Sequence, residues 1–287
     1  MRTTSRRRRR LWAVAASVVM GAGVAFAYVG TGGTVTWPGH AVASTSSVAP
    51  TTAAAPPPAT STAPPPNPVL PFNAKLVSQN IPVKGGGVRS GACSGSLISP
   101  QWVVTAGHCF HDIDDTRTGG PPPYTMTVTV GKLKDSDPGG HTAQVVDVRQ
   151  SPVNDLALAK LSAPVTDIVP VTLADTPPAV GQQLQFAGWG SHSATVLGPS
   201  DHLKRGHFTV SRIKQYTLEA QPVGERTVDN GPCPEDSGGP FFVSDDDRTA
   251  TLVAIVNTGP PCPQPGAETI ARVDVVFDWI RGQIGLQ

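Results

Sequence analysis

Charged side chains make up only 15% of this 287-residue chain, and aromatics only 6%. Scarce charge, with 30 glycines and 30 prolines, excludes a helix-rich fold with salt-laced surfaces and favours many short strands joined by turns. No CxxC pair and no HExxH helix occurs, which removes the usual zinc arrangements. Neither metal nor cofactor is expected. No acidic residue precedes Asp112. The formal net charge of +1 rests on six arginines within the first ten residues; the remainder carries 16 basic against 21 acidic residues. That part is mildly acidic and has no footprint for a polyanion, so nucleic acid is excluded as a partner.

The basic cluster Arg6–Arg10 is followed by a charge-free apolar run from Leu11 to Gly30. Two readings stand. Ala25-Phe26-Ala27 fits a small-x-small cleavage site and a removed signal peptide. A run of about twenty apolar residues also suffices to anchor the chain in a bilayer, with the arginines kept inside. Both place the remainder outside the cytoplasm, secreted or held at the membrane by residues 11–30. Residues 31–71 hold Pro-rich stretches such as those after Ala49 and Ala63. They lack the aliphatic residues a core needs and read as a disordered, semi-rigid Pro/Thr/Ala linker.

From residue 72 onward, short strand-like runs recur between turn clusters. They include Leu97-Ile98, Trp102–Thr105, Thr125–Val130, Thr142–Val148, Leu156–Leu161, Gln183–Phe186, Thr209–Ile213, Pro240–Val243 and Thr251–Val256. Gly119–Pro123, Asp137–Gly140 and Ser244–Asp247 supply the turns. This spacing predicts a barrel or sandwich. Val275, Val276, Trp279, Ile280 and Ile284 predict one amphipathic helix at the end. Four cysteines in an exported segment suit disulfides.

Three local contexts carry the chemistry. Asp236-Ser237-Gly238-Gly239-Pro240 offers a hydroxyl, Thr105-Ala106-Gly107-His108-Cys109 an imidazole, and Asn154-Asp155-Leu156-Ala157-Leu158 a carboxylate. A serine hydroxyl needs a base within hydrogen-bond reach, and that base needs an orienting partner. His111 is the less suitable base. Asp112, Asp114, Asp115 and Asp245–Asp247 read as solvated loops and turns.

Together with Cys93-Ser94-Gly95-Ser96, Gly188-Trp189-Gly190 and Arg272 to Ile280, these motifs resemble the chymotrypsin/trypsin-like serine peptidases, of a bacterial exported type, over about residues 75–285. The resemblance implies an all-β fold of two six-stranded antiparallel β-barrels (about 72–165 and 170–287) with a C-terminal helix. It implies Ser237 as nucleophile, His108 as general base and Asp155 as its orienting carboxylate. It implies an oxyanion hole from the N–H groups of Glu235 and Ser237, and disulfides Cys93–Cys109 and Cys233–Cys262. The first disulfide closes a loop of about 15 residues, worth about 3 kcal/mol in the chain-entropy picture. The substrate pocket would involve Gly231 at its base, with Asn257, Thr258, Gly259 and Gly266. With no acid at Gly231, the P1 residue is not Lys or Arg, and a roomy neutral pocket suits an apolar or aromatic side chain.

The chain departs from the family at two points. Glu235 stands where the family has glycine, and a non-glycine residue at positive φ costs about 1–2 kcal/mol. No Ile-Val-Gly-Gly-like start exists to supply the amine that pairs with the residue at Asp236. A processed end near Val69–Phe72, or an internal cation such as Arg205 or Arg212, would have to serve, because a buried carboxylate without a cation is costly. The resulting expectation is an exported, monomeric serine endopeptidase acting on proteins or peptides. A catalytically impaired homologue that binds a partner through the same cleft is the alternative, and an esterase-like acyl hydrolase a third reading.

Overall fold

Strand register decides where the chemistry-bearing segments meet. The computed structural model describes residues 69–285. The expected leader, Leu11–Gly30, and the linker up to residue 68 lie outside the described residues. No described helix is long and apolar enough to cross a membrane.

Six strands close the first barrel: β1 (Asn73–Pro82), β2 (Val88–Ser99), β3 (Trp102–Thr105), β4 (Thr125–Val130), β5 (His141–Gln150) and β6 (Ala157–Leu161). They run in the order β1-β2-β3-β6-β5-β4. Along β4 the burial alternates, with Met126, Val128 and Val130 inside, the period-two pattern that lets one face enter a core. Leu70 and Phe72 are fully enclosed in a buried cluster that draws on both halves of the fold, with Phe72 against Phe242 at 5.5 Å. The folded part therefore takes in Leu70, which composition assigned to the linker.

The second barrel follows a two-residue strand β7 (Thr172–Leu173). It comprises β8 (Gln183–Gly188), β9 (Lys204–Ile213), β10 (Thr217–Pro222), β11 (Pro240–Val243), β12 (Thr251–Thr258) and β13 (Glu268–Arg272). The order is β11-β8-β9-β10-β13-β12, the β11–β12 pairing closes it, and β7 adds to β12 in parallel. Phe186, Phe208 and Phe241 form an aromatic centre, with centroids 5.0–6.2 Å apart. The fold is the expected pair of six-stranded antiparallel barrels. A 3-10 turn (Asp274–Val276) leads into the single helix α1 (Phe277–Ile284), which buries Ile280. It ends at Gly285 in a left-handed conformation, the usual helix stop. Disulfides join Cys93 to Cys109 and Cys233 to Cys262.

Candidate active site

The antiparallel pairing of β3 with β6 sets Thr105 opposite Ala157. The residues just after β3 and just before β6 are therefore neighbours, which brings His108 to Asp155. His108 Nδ1 lies 2.6 Å from Asp155 Oδ2, and the His108 backbone N–H donates to Asp155 Oδ1 at 2.8 Å. Burial pushes the Asp155 carboxyl up, but the His108 ring, its charge and its backbone N–H, with the Arg117 guanidinium, outweigh that and hold it below its ordinary value. Arg117 Nη1 stands 3.5 Å from Asp155 Oδ1. The preceding Asn154 is fixed by donating from Nδ2 to the Arg272 carbonyl at 2.8 Å, which ties this loop to the second barrel.

Ser237 comes from that second barrel. Its Oγ lies 2.7 Å from His108 Nε2. The Ser237 carbonyl accepts from the Ser94 N–H at 2.8 Å, and Gly238 N–H donates to Val256 O at 2.8 Å. Gly238 has φ +81°, and a Cβ there would stand 2.2 Å from Thr105 Oγ1 and 2.5 Å from Ala106 N. Only glycine lets the serine turn press against the turn that carries the imidazole. A second Ser–His–Asp grouping, Ser200–His192–Asp229, has comparable distances of 2.5 Å. Its serine is buried and donates to the His202 carbonyl, so it is a loop-fixing contact.

At Glu235, φ is +74°, the left-handed region that the family's glycine would adopt freely. Among the described residues, neither Glu235 N–H nor Ser237 N–H donates a hydrogen bond. Two unspent donors beside a serine hydroxyl are the arrangement a developing oxyanion would need. The Glu235 carboxyl is half-buried, and its Oε2 has no partner among the described residues. Desolvation, and then the Asp236 charge, raise its pKa, while the Gly198 N–H and Lys75 oppose them.

Asp236 is fully enclosed, and its cation is neither Arg205 nor Arg212. Lys204, itself fully enclosed, places Nζ 2.5 Å from Asp236 Oδ2. Arg205 instead pairs with Asp247, and Arg212 lies beside Glu219. The segment where a processed end was expected is engaged elsewhere: Leu70 N–H donates to the Asp247 carbonyl at 2.6 Å, and the Phe72 ring packs edge-on against Phe242 at 5.5 Å. Asp236 also accepts from Gly190 N–H at 2.7 Å and Cys233 N–H at 2.8 Å. Burial pushes its carboxyl up, and the Lys204 ammonium and these N–H groups pull against that. The Gly188-Trp189-Gly190 motif follows from this seat, because a Cβ at either glycine would collide with the Asp236 carboxylate at 2.1–2.3 Å.

A cavity of about 210 Å³ opens beside Ser237. Asn257, Thr258 and Gly259 line it as expected; Gly231 and Gly266 do not. Gly231 is buried alongside Arg226, and Gly266 sits against Pro260. Two residues not singled out from sequence, Arg226 and Glu268, line the cavity instead. Arg226 Nη2 stands 2.6 Å from Glu268 Oε1, and their side chains are 2% and 1% exposed. Desolvation raises Glu268 to about 7, against the pull of Arg226. The cavity is thus not the featureless neutral pocket expected from glycines alone.

The sequence model of one family, described as Trypsin, matches residues 71–280. Trypsin 5G1 of Aedes aegypti is 32% identical over 216 residues, covering 68% of this chain and 76% of the mosquito protein. Human Trypsin-3 is 29% identical over 206 residues, covering 67% of this chain and 64% of that protein. The suppressor of tumorigenicity 14 protein homolog of Bos taurus is 30% identical over 68% of this chain, which spans a quarter (25%) of the bovine protein's length. The structure of neuropsin, a serine protease expressed in the limbic system of mouse brain, superposes with a TM-score of 0.57 at 21% identity, over 75% of this chain and 95% of that one. That likeness concerns the fold. None of these relatives supports a specifically bacterial type.

Proposed function

This chain belongs to the trypsin family of serine-type endopeptidases, and on that premise we propose that it cleaves peptide bonds outside the cytoplasm through Ser237, His108 and Asp155. The observation that carries the reading is the unbroken hydrogen-bond line from Asp155 through His108 to Ser237 Oγ, at 2.6 and 2.7 Å. His108 takes the serine proton as Ser237 Oγ attacks the scissile carbonyl, and Asp155 holds the ring and stabilises the imidazolium. The N–H groups of Glu235 and Ser237 receive the oxyanion. His108 then delivers the proton to the leaving amine, and water repeats the sequence on the acyl-enzyme. Two disulfides and the Arg6–Gly30 leader pattern support export. A P1 residue other than Lys or Arg is favoured because the cavity's carboxylate, Glu268, is already matched by Arg226.

The test is labelling of the full exported chain with a fluorophosphonate probe, beside digestion of a protein substrate. Wild type labels and digests; Ser237→Ala does not label and loses about 10⁴-fold or more in kcat. The strained φ at Glu235 favours one second reading, a homologue with a weakened oxyanion hole that binds without cutting. Labelling that emerges only with Glu235→Gly would establish it.

A further inference from the structure

We infer that Glu235 reads the leaving segment of the substrate and selects lysine or arginine at the first or second position after the scissile bond (P1′ or P2′). The inference rests on the reading of Ser237 as nucleophile, since that fixes where the scissile bond lies.

Among the described residues, Glu235 is the one carboxylate of the site without a cation. Asp155 has His108 and Arg117, Asp236 has Lys204, and Glu268 has Arg226. Lys75 is the ammonium whose charge reaches Glu235, but that group is spent. Its Nζ stands 2.7 and 2.9 Å from the two Asp135 oxygens and 2.8 Å from the Ser200 carbonyl, which uses all three of its N–H bonds. The two Glu235 oxygens differ. Oε2 is enclosed and has no hydrogen-bond partner among the described residues, whereas Oε1 is neither enclosed nor bonded to any of them. A half-buried carboxylate thus keeps one oxygen open to an incoming donor. It is held there by a residue at φ +74°, and backbone strain of this kind gathers at ligand-binding positions.

The carboxyl faces the leaving group rather than P1. Pro234 and Ser237, on either side of Glu235 in the chain, line the cavity beside Ser237, and Glu235 does not. Its carboxyl lies instead toward the Gly198 N–H and Lys75. Lys75 pairs with Ser94 across β1 and β2, and the Ser94 N–H donates to the Ser237 carbonyl. This is the first-barrel flank of Ser237, the flank that carries His108, which delivers the proton to the departing amine. A substrate with P1 in the cavity lays the residues after the scissile bond across it. Val196 and Leu197, next to Gly198 in the chain, are each 69% exposed and offer an apolar surface to the methylene stem of a long basic side chain. A lysine or arginine there neutralises Glu235, a neutral residue leaves it without a counter-ion, and an acidic residue meets like charge.

The test uses two arms on the full chain. In the first, internally quenched peptides of fixed P1 carry Lys, Arg, Gln or Glu at P1′ or P2′. At one of these positions Lys and Arg are expected to exceed Gln by about three- to tenfold in kcat/KM, and Glu by more, an advantage that shrinks as salt rises. Glu235→Gln, which keeps the backbone N–H and the volume, should level the Lys-over-Gln ratio, and Glu235→Lys should invert the Lys-over-Glu ratio. Each ratio is taken within one variant, so a change in oxyanion binding common to all peptides cancels. In the second arm, Ser237→Ala, alone and combined with Glu235→Gln, is titrated with the same peptides, so the leaving side is read without catalysis. Tighter binding of the basic peptides in this arm upholds the assignment even if wild type proves inert. A flat or acid-favouring ranking in cleavage, or in binding where wild type is inert, overturns the proposal, as does a basic preference that survives Glu235→Gln.

Discussion

Lys204→Met is the perturbation that tests how this peptidase keeps its Ser237 loop in order. The substitution keeps most of the unbranched side chain and removes the ammonium 2.5 Å from Asp236 in a site where both side chains are fully enclosed. Lys204 Nζ also donates to the Ser191 carbonyl at 3.1 Å and Gly231 O at 3.3 Å, so the loops on both sides of Ser237 loosen together. Breaking a buried pair from one side costs about 3–5 kcal/mol, against a typical total of about 5–15 kcal/mol. For a domain of this size that lowers Tm by roughly 6–20 °C. The assays are thermal unfolding and fluorophosphonate labelling of the full chain with residues 31–71 intact. Wild type is expected to label with its linker uncut, because its cation comes from β9 rather than from a freed amine. Lys204→Met is expected to melt early and label poorly. The double variant Lys204→Met/Asp236→Asn, which leaves no unpaired charge, should recover much of the melting temperature. A wild type that labels only after cleavage near Val69–Phe72, or a single variant as stable as wild type, would refute the reasoning.

Three further outcomes follow from other parts of the site. Glu235→Gly relieves a left-handed non-glycine residue and a desolvated carboxyl, so it should gain about 1 kcal/mol in urea unfolding and label at least as fast as wild type; a loss of both would show that Glu235 makes a contact worth more than its strain. Glu268 is raised from about 4.5 to about 7 on folding. Its contribution is fully present below the lower value and is lost as pH rises through the upper one, so stability declines across that interval. The raised Asp236 carboxyl acts in the same direction, and Glu268→Gln should therefore flatten the decline in Tm with pH without abolishing it. Asp155 shifts the other way: its contribution holds above its ordinary value and disappears as pH falls below it, so Asp155→Asn should weaken the acid limb of the unfolding profile.

The three motifs that meet in space were legible because each one sets a hydroxyl, an imidazole or a carboxylate beside small residues at fixed offsets. The strands Thr125–Val130 and Pro240–Val243 were legible to the residue because the first alternates threonine with apolar residues and the second is an unbroken apolar run, each between turn signals. Strands β1 and β10, NAKLVSQNIP and TLEAQP, were not, because half their positions are polar and their pairing partners lie far along the chain. The ion-pair partners were missed for a different reason. Chemistry alone makes Lys204, Arg205 and Arg212 equivalent cations for Asp236, and only register separates them. Phe208 and Val210 mark the inward face of β9, so the period of two also sends Gly206 and Lys204 inward and Arg205 out toward Asp247. Register then sets Lys204 opposite Gly188, two residues before the glycine whose N–H holds Asp236. Arg212 shares the inward parity but lies at the far end of the strand, beyond a bulge, beside Glu219. The same argument sends Glu268 inward two residues before buried Ile270. Alternation along a strand, extended past its apolar residues to its charged ones, was the signal that could have located both the cation paired with Asp236 and the carboxylate beside the cavity next to Ser237.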